Sequence, residues 1–359
     1  PSFSGCEPVN PDAHGSQDLV AGRWHGTRGL AEDVRYYAGW MHEEAERRVG
    51  HLYPKVLISD ELLVRRPDLR PYAGRYLTPV AYLWARTVKS PNPAFGEVEV
   101  PLISTYMLST KKGKEAYVEP VIKDGSYWFT VKVGKPKDLE AAKNGTKLSR
   151  GANFQCIMSN TPINGDHIKN EGKAGRMNMR LMAVVADGGR GRVYLPPTEI
   201  IESIACHVKP EWYPEGELVE DARAFTPTLY GLMKWGNLFT PRQLVALTTF
   251  SDLVQEVHEL VKHDALAANL LDDYKSLDNG GISATAYADA VVVYLSFALD
   301  KQADLGNGFC RWEPIAQCPR QLFGRQAIPM VWDFAEGNPL GDSSGAWVVL
   351  IDGITKAFS

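Results

Sequence analysis

The stretch from Tyr230 to Leu247, Tyr-Gly-Leu-Met-Lys-Trp-Gly-Asn-Leu-Phe-Thr-Pro-Arg-Gln-Leu-Val-Ala-Leu, constrains this chain more than any other. Thr240 can cap free backbone amides with its hydroxyl, and Pro241 then sits at the first helical position, where no amide donor is needed. A helix is therefore predicted to begin at Pro241. Leu244, Leu247, Phe250 or Ser251, Val254, Val257 and Val261 follow at helical spacing, so one apolar stripe runs to about His263. Gly231 and Gly236, with Trp235 between them, give the lead-in a tight backbone and one large anchor. The helix N-terminus is expected to be held in place with its amides pointing outward.

At 359 residues the chain exceeds the usual single core, which predicts two domains, or one domain with a large insertion. No charge-free apolar run reaches about 18 residues, and no basic leader precedes a short hydrophobic region, so neither a membrane span nor a secretion signal is expected. The five scattered cysteines, Cys6, Cys156, Cys206, Cys310 and Cys318, fit free thiols in a reducing compartment. A cytoplasmic location without a membrane partner is the expectation. The chain opens Pro1-Ser2-Phe3 without an initiator Met and closes just after the apolar run Trp347 to Ile351, so an interior slice of something longer is expected.

Charge is unevenly spread. Residues 101–195 hold 16 Lys and Arg against 8 Asp and Glu, whereas the remainder holds 23 against 35. A basic module inside an acidic chain suits a polyanion, because Lys and Arg opposite phosphates gain affinity by releasing counterions. A solvated β-rich module with Lys on its edges would give the same count.

In chain order, residues 1–27 read as an irregular, turn-rich lead. Leu30 to Val49 keeps helical spacing on one face and Glu and Arg on the other, which predicts an amphipathic surface helix ended by Pro54. Residues 60–76 read as a charged loop. From Val80 the rhythm becomes short β-type runs: Val80 to Val88, Val98 to Met107, Ala116 to Ile122, Tyr127 to Val133, Phe154 to Met158 and Arg192 to Leu195. Gly188-Gly189-Arg190-Gly191 sits between strand-like segments and is read as a hairpin turn, not a phosphate loop, which would open a helix. A short helix is expected from Pro196 to about Val208, a Pro- and Glu-rich connector over 209–229, a polar loop from Asp272 to Gly281, and a helix from about Ala284 to Ala303. The run Ala290-Val-Val-Val-Tyr-Leu295 predicts burial on several sides of that last helix, although three valines also permit a strand. The expected division is 1–78, 79–208 and 209–359.

Direct chemistry is sparse. Asp333 and Glu336, three apart on an expected helix, could work as paired carboxylates or form an Arg-paired face. Trp312, Phe323, Trp332 and Phe334 amid Arg311, Arg320 and Arg325 could stack bases or fill a core. Cys206-His207 and the pair Cys310 and Cys318 lack metal spacing, and no HExxH, P-loop, nucleophile elbow or Cys-x-x-Cys occurs.

Five segments taken together resemble the bacterial and archaeal family of adenine-specific DNA methylases with an embedded zinc ribbon. They are Gly29-Leu-Ala-Glu-Asp-Val-Arg-Tyr-Tyr, Gly50-His-Leu-Tyr-Pro, Leu83-Trp-Ala-Arg-Thr-Val, Asn237-Leu-Phe-Thr-Pro-Arg-Gln-Leu-Val-Ala-Leu-Thr-Thr-Phe, and Phe323-Gly-Arg-Gln-Ala-Ile-Pro-Met-Val-Trp-Asp-Phe-Ala-Glu. The resemblance spans nearly the whole chain in order. It implies S-adenosylmethionine as cofactor, DNA as partner, and an α+β chain in which a β-rich inserted module, a degenerate zinc ribbon, joins a helical part of a Rossmann-like methyltransferase. The family's glycine-rich cofactor loop would lie upstream and its Asp-Pro-Pro-Tyr type motif downstream; neither occurs here, and Leu195-Pro-Pro-Thr198 and Asn338-Pro-Leu340 are not substitutes. The chain then looks like the region between the two motifs, with the missing methyltransferase segments as possible partners, and it is expected to be inactive alone. The resemblance places Ser90, Phe95, Cys156 and Ser159 where the family carries two cysteine pairs, so a metal-free module is expected, because one thiolate does not hold zinc. Phe239, Thr240 and Pro241 resemble the Phe-Thr-Pro motif that other adenine methyltransferases use near the methionine end of the cofactor. Lys111, Lys112, Lys114, Lys169, Lys173 and Arg176, all in the basic module, are the expected DNA contacts.

Overall fold

The computed structural model describes residues 3–14, 24–221, 223–324 and 326–358. Part of the lead (1, 2 and 15–23), Ala222 of the connector and Arg325 of the Arg and aromatic-rich segment therefore lie outside the described residues. The fold mixes helix and sheet in two compact units. One gathers Pro1–His51, Val245–Ala303 and Pro339–Ser359; the other gathers Leu52–Leu244 and Asp304–Asn338. These units cut across the expected three-part division, because residues distant in sequence supply neighbouring parts of each core.

The first unit is helical. Arg28–Val49 forms as the spacing predicts and buries Val34, Tyr37, Met41 and Ala45. Phe250, Leu253, Val257 and Val261 meet that face from the helix Pro241–Ala267, as do Tyr287, Val291 and Leu295 from Ala284–Leu305. Trp347, on the short helix Trp347–Thr355, stacks on Phe250 at 4.6 Å between ring centres and donates its indole N–H to the Ala38 carbonyl at 2.9 Å. The run of three valines is helical, but Val293 and Phe297 are exposed, so this helix is apolar on its outer side as well as its inner one.

The second unit is built on the strand Pro79–Lys89, buried almost end to end. A continuous apolar run, Pro-Val-Ala-Tyr-Leu-Trp-Ala, suits a strand covered on both faces. Asn178–Asp187 pairs with it along one edge, and Arg192–Leu195 extends the sheet through the Gly188–Gly191 turn, as the glycines predict. The other edge is shared: Asp333–Gly337 pairs with Ala81 to Ala85, and Glu99–Leu102 with Arg86 to Lys89. A second sheet of Met107–Ser109, Ala116–Lys123 and Ser126–Val133 packs Val118, Phe129 and Val131 against Leu83, Ala85, Ala183, Val185 and Ala335. Because strand residues alternate in direction, Tyr82, Trp84, Phe334 and Glu336 face the opposite side.

Three expectations are corrected. Asp333 and Glu336 lie on a strand, Asp333–Gly337, and not on a helix, so a separation of three puts them on opposite faces and they are not a carboxylate pair. Residues 60–76 contain the helix Asp60–Arg65, capped by Ser59, and a 3-10 turn from Pro67 to Tyr72. The run Val98 to Met107 breaks at a turn after Leu102. A helix at Gly165–Lys173, capped by the Asn164 side chain on the His167 amide at 2.8 Å, escaped the apolar-periodicity reading because most of its residues are polar. Every pairing between strands among the described residues is antiparallel, and one isolated bridge, Phe225 with Ile328, is parallel.

Candidate functional site

The predicted helix start is present, and it is buried. Thr240 and Gln243 cap each other: the Gln243 amide donates to the Thr240 hydroxyl at 3.1 Å, and the Thr240 amide donates to Gln243 Oε1 at 2.8 Å. The Thr240 hydroxyl also donates to Glu336 Oε1 at 3.4 Å, and its carbonyl accepts the Leu244 amide. Every polar atom of Thr240 is thus engaged within the protein. Phe239 and Pro241 on either side are half-buried. The expectation of amides turned outward gives way to an inward arrangement in which a protein carboxylate stands at the cap.

That carboxylate belongs to a fully buried ion pair. Arg242 Nε and Nη2 each donate to Glu336 at 2.8 Å, and both side chains are 0% exposed. Arg242 Nη1 donates to the Leu52 carbonyl at 3.0 Å, and Trp84 Nε1 donates to Glu336 Oε2 at 2.8 Å. The guanidinium lies 4.0 Å from the centre of the Tyr82 ring and 4.9 Å from that of Tyr53. Burial by itself would lower the Arg242 pKa; the charge and hydrogen bonds of Glu336 more than reverse this and keep it cationic.

On the opposite face of the same strand, Asp333 lines a cleft of about 410 Å3. Trp312, Leu83, Met182 and Met330 supply apolar walls, and Ser104 and Asp333 supply polar groups. The Ser104 amide donates to Asp333 Oδ1 at 2.8 Å, and the Trp312 indole N–H donates to the Leu108 carbonyl at 2.7 Å, which fixes its ring. Burial raises the Asp333 pKa against the opposing hydrogen bonds from Ser104 and the charge of Lys147. Lys147 and the exposed Arg311 also line the cleft. Nearby, Arg86 donates to the carbonyls of Val331 and Gly308 at 2.8 and 3.0 Å, and burial pushes its pKa down to about 10. Sequence reasoning left open whether Trp312 and Trp332 serve binding or core: Trp332 is largely core against Phe154 and Tyr230, whereas Trp312 is half-exposed.

Three of the four positions that the resemblance assigns to the two cysteine pairs, Ser90, Cys156 and Ser159, come together. Ser90 Oγ lies 3.4 Å from Cys156 Sγ, although 66 residues separate them. Burial raises the Cys156 pKa, but hydrogen bonds from the Ser159 and Ser90 side chains and the Met158 and Ser159 amides outweigh it and bring the thiol below its ordinary value. Phe95 is half-buried on the turn after Pro93. Among the described residues, no group of three or more His, Cys, Asp or Glu is placed to hold a metal ion.

The expected DNA contacts fall in two places. Lys111, Lys112 and Lys114 are exposed on one turn, and Lys114 reaches the Gly188–Gly191 hairpin. On or just after the Gly165–Lys173 helix, Lys169 pairs with Asp166 at 3.2 Å and Arg176 makes a bidentate pair with Glu171 at 2.6 and 3.0 Å, while Lys173 is exposed. Lys169 and Arg176 are thus partly committed to intramolecular carboxylates. No helix among the described residues is long and apolar enough to cross a membrane. Compared with family models, with curated proteins and with solved structures, the chain finds no match.

Proposed function

We propose that this chain is part of an S-adenosylmethionine-dependent DNA adenine N6-methyltransferase, to which it contributes target recognition and scaffold. One observation carries the reading. Ser90, Cys156 and Ser159, assigned by resemblance to two separate metal knuckles, meet in one hydrogen-bonded cluster, which is the arrangement a ribbon keeps after losing its metal ligands. The exposed Lys111, Lys112 and Lys114 turn supports a polyanionic partner.

An adenine amine is a poor nucleophile because its lone pair is delocalised into the ring, so a methyltransferase must take the base out of the stack and accept hydrogen bonds from the amine. In this reading the transfer itself falls to motifs that these residues do not contain. As arranged, Phe239, Thr240 and Pro241 do not fit a cofactor contact, because Thr240 is fully engaged and Glu336 already stands at its hydroxyl. No step is assigned to them. That same arrangement favours a second reading, a non-enzymatic DNA- or partner-binding protein derived from the family.

Isothermal titration with S-adenosylmethionine separates the two. Saturable binding is the expected result for the first. No binding, together with DNA affinity that falls with salt, establishes the second and removes the first.

A further inference from the structure

Ser126–Val133 is an outer strand: it pairs with Ala116–Lys123 and has no strand neighbour on its other side among the described residues. The two-residue turn Asp124-Gly125, both at positive φ, closes the hairpin at the Lys123 and Ser126 pair, and the ladder alternates from there. The backbone N–H and C=O groups of Tyr127, Phe129 and Val131 therefore point away from the hairpin. Arg66 agrees with that phase, because its Nη1 donates to the Val131 carbonyl at 3.3 Å and to the Tyr194 carbonyl at 2.9 Å, while Asp68 holds Nε and Nη2 at 2.7 and 2.6 Å. Tyr194 lies on the outer strand of the other sheet, so the buried Arg66 plugs one end of a gap between two sheet edges. Beside the plug lies a cleft of about 480 Å3, lined by Phe129, Thr130, Leu195 and Arg66 itself. Open edges are usually blunted by a charge, a bulge or a covering segment. Here the charge serves Val131 and leaves the Phe129 backbone without a partner among the described residues.

We propose that this edge takes an extended peptide as an added strand, one in which aliphatic side chains alternate with lysine or arginine. Main-chain hydrogen bonds to Phe129 supply affinity, and the cleft selects the side chains. Leu57, Trp128, Pro196 and Pro197 offer apolar surface to one face of such a strand, and Leu57 and Trp128 are exposed. The rim is acidic. Glu61 and Glu199, in the first turns of the helices Asp60–Arg65 and Glu199–His207, are exposed and in no ion pair among the described residues. Arg66 is held by Asp68 and Arg180 by Glu202, which leaves Arg65 as the lining cation without a carboxylate partner among the described residues. Two free carboxylates against one free cation favour basic over acidic side chains in the incoming strand. Nothing in this site draws on the methyltransferase reading.

The test measures binding of the full chain, by fluorescence anisotropy, to octapeptides carrying an N-terminal fluorescein. One alternates valine and lysine, one alternates valine and glutamate, and two further versions of the first are N-methylated at every valine or at every lysine. The valine–lysine peptide should bind saturably and more tightly than the valine–glutamate peptide. In an added strand alternate residues turn their amides to the same edge, so one methylated version should lose about tenfold or more, the worth of one main-chain hydrogen bond, while the other binds like the parent. Methylation leaves the charge unchanged, which separates strand addition from simple attraction of a basic peptide to an acidic chain. Trp128→Glu should abolish binding, and Glu61→Lys with Glu199→Lys should narrow or invert the preference over the glutamate peptide. No saturable binding of the valine–lysine peptide overturns the proposal, and so do equal affinities for the two methylated versions. A dimer of the unaltered chain in sedimentation velocity that Trp128→Glu dissolves gives the edge to a second copy and overturns it as well. If a variant fails to fold by circular dichroism, the four peptides on the unaltered chain decide alone.

Discussion

Arg242 and Glu336 show how much one residue can hold. Each is 0% exposed, and each is the other's only fully charged partner among the contacts described above. Breaking a buried pair from one side strands a charge in a poor solvent, whereas replacing both halves by apolar groups of similar volume need not. Arg242→Met or Glu336→Leu alone should therefore cost about 3–5 kcal/mol of unfolding free energy in urea titrations, and the double substitution should recover most of it. A double mutant no more stable than the singles would show that the pair is not the element holding this face. Glu336 was visible in the sequence as a carboxylate, and Arg242 as a residue in the first turn of a capped helix. Their partnership was not, because no local pattern links positions 94 apart.

Among the elements, the helices with strong apolar periodicity were legible nearly to their ends: Pro241–Ala267 begins at the predicted residue, and Arg28–Val49 ends at it. The polar helix Gly165–Lys173 was not, since its stability comes from a cap, the buried Ile168 and a close packing contact. In that contact Gly172 lies against the Tyr230 backbone, where an added Cβ would stand 2.4 Å from the carbonyl oxygen. Helix propensity favours alanine over glycine by about 1 kcal/mol. Backbone crowding should nevertheless win, so Gly172→Ala should destabilise the protein by about 1–3 kcal/mol and lower its melting temperature. A rise in melting temperature would mean that the two segments can part at little cost. Asp333 was misread for a related reason: Asp and Glu three apart fit a helix face locally, and only pairing with Ala85 and Tyr82 of a distant strand sets them on opposite sides.

For the whole molecule, the concentration of basic charge in residues 101–195 was correctly located from the sequence, but the structure ranks its members. Lys111, Lys112 and Lys114 stand exposed together, whereas Lys169 and Arg176 have intramolecular carboxylate partners. Replacing the three turn lysines by alanine should reduce the slope of log affinity for DNA against log salt by up to about 3, close to one per lost phosphate contact. An unchanged slope would place the DNA elsewhere. The domain division was the least legible feature, because the order of segments along a chain says little about which of them share a core. The basic stretch drawn as a module over 79–208 lacks Asp333–Gly337, which occupies half of one edge of its central strand.

That late-arriving edge strand also bears on how the protein is made. Val80 to Ala85 leave the ribosome some 250 residues before their partner does, a delay of about 12–50 s at roughly 5–20 residues per second. During that interval the nascent chain carries an open row of backbone donors and acceptors on an apolar strand, a template for unwanted pairing with a neighbour. Yield during expression should thus depend more on chaperone supply and translation speed than the stability of the finished fold would suggest.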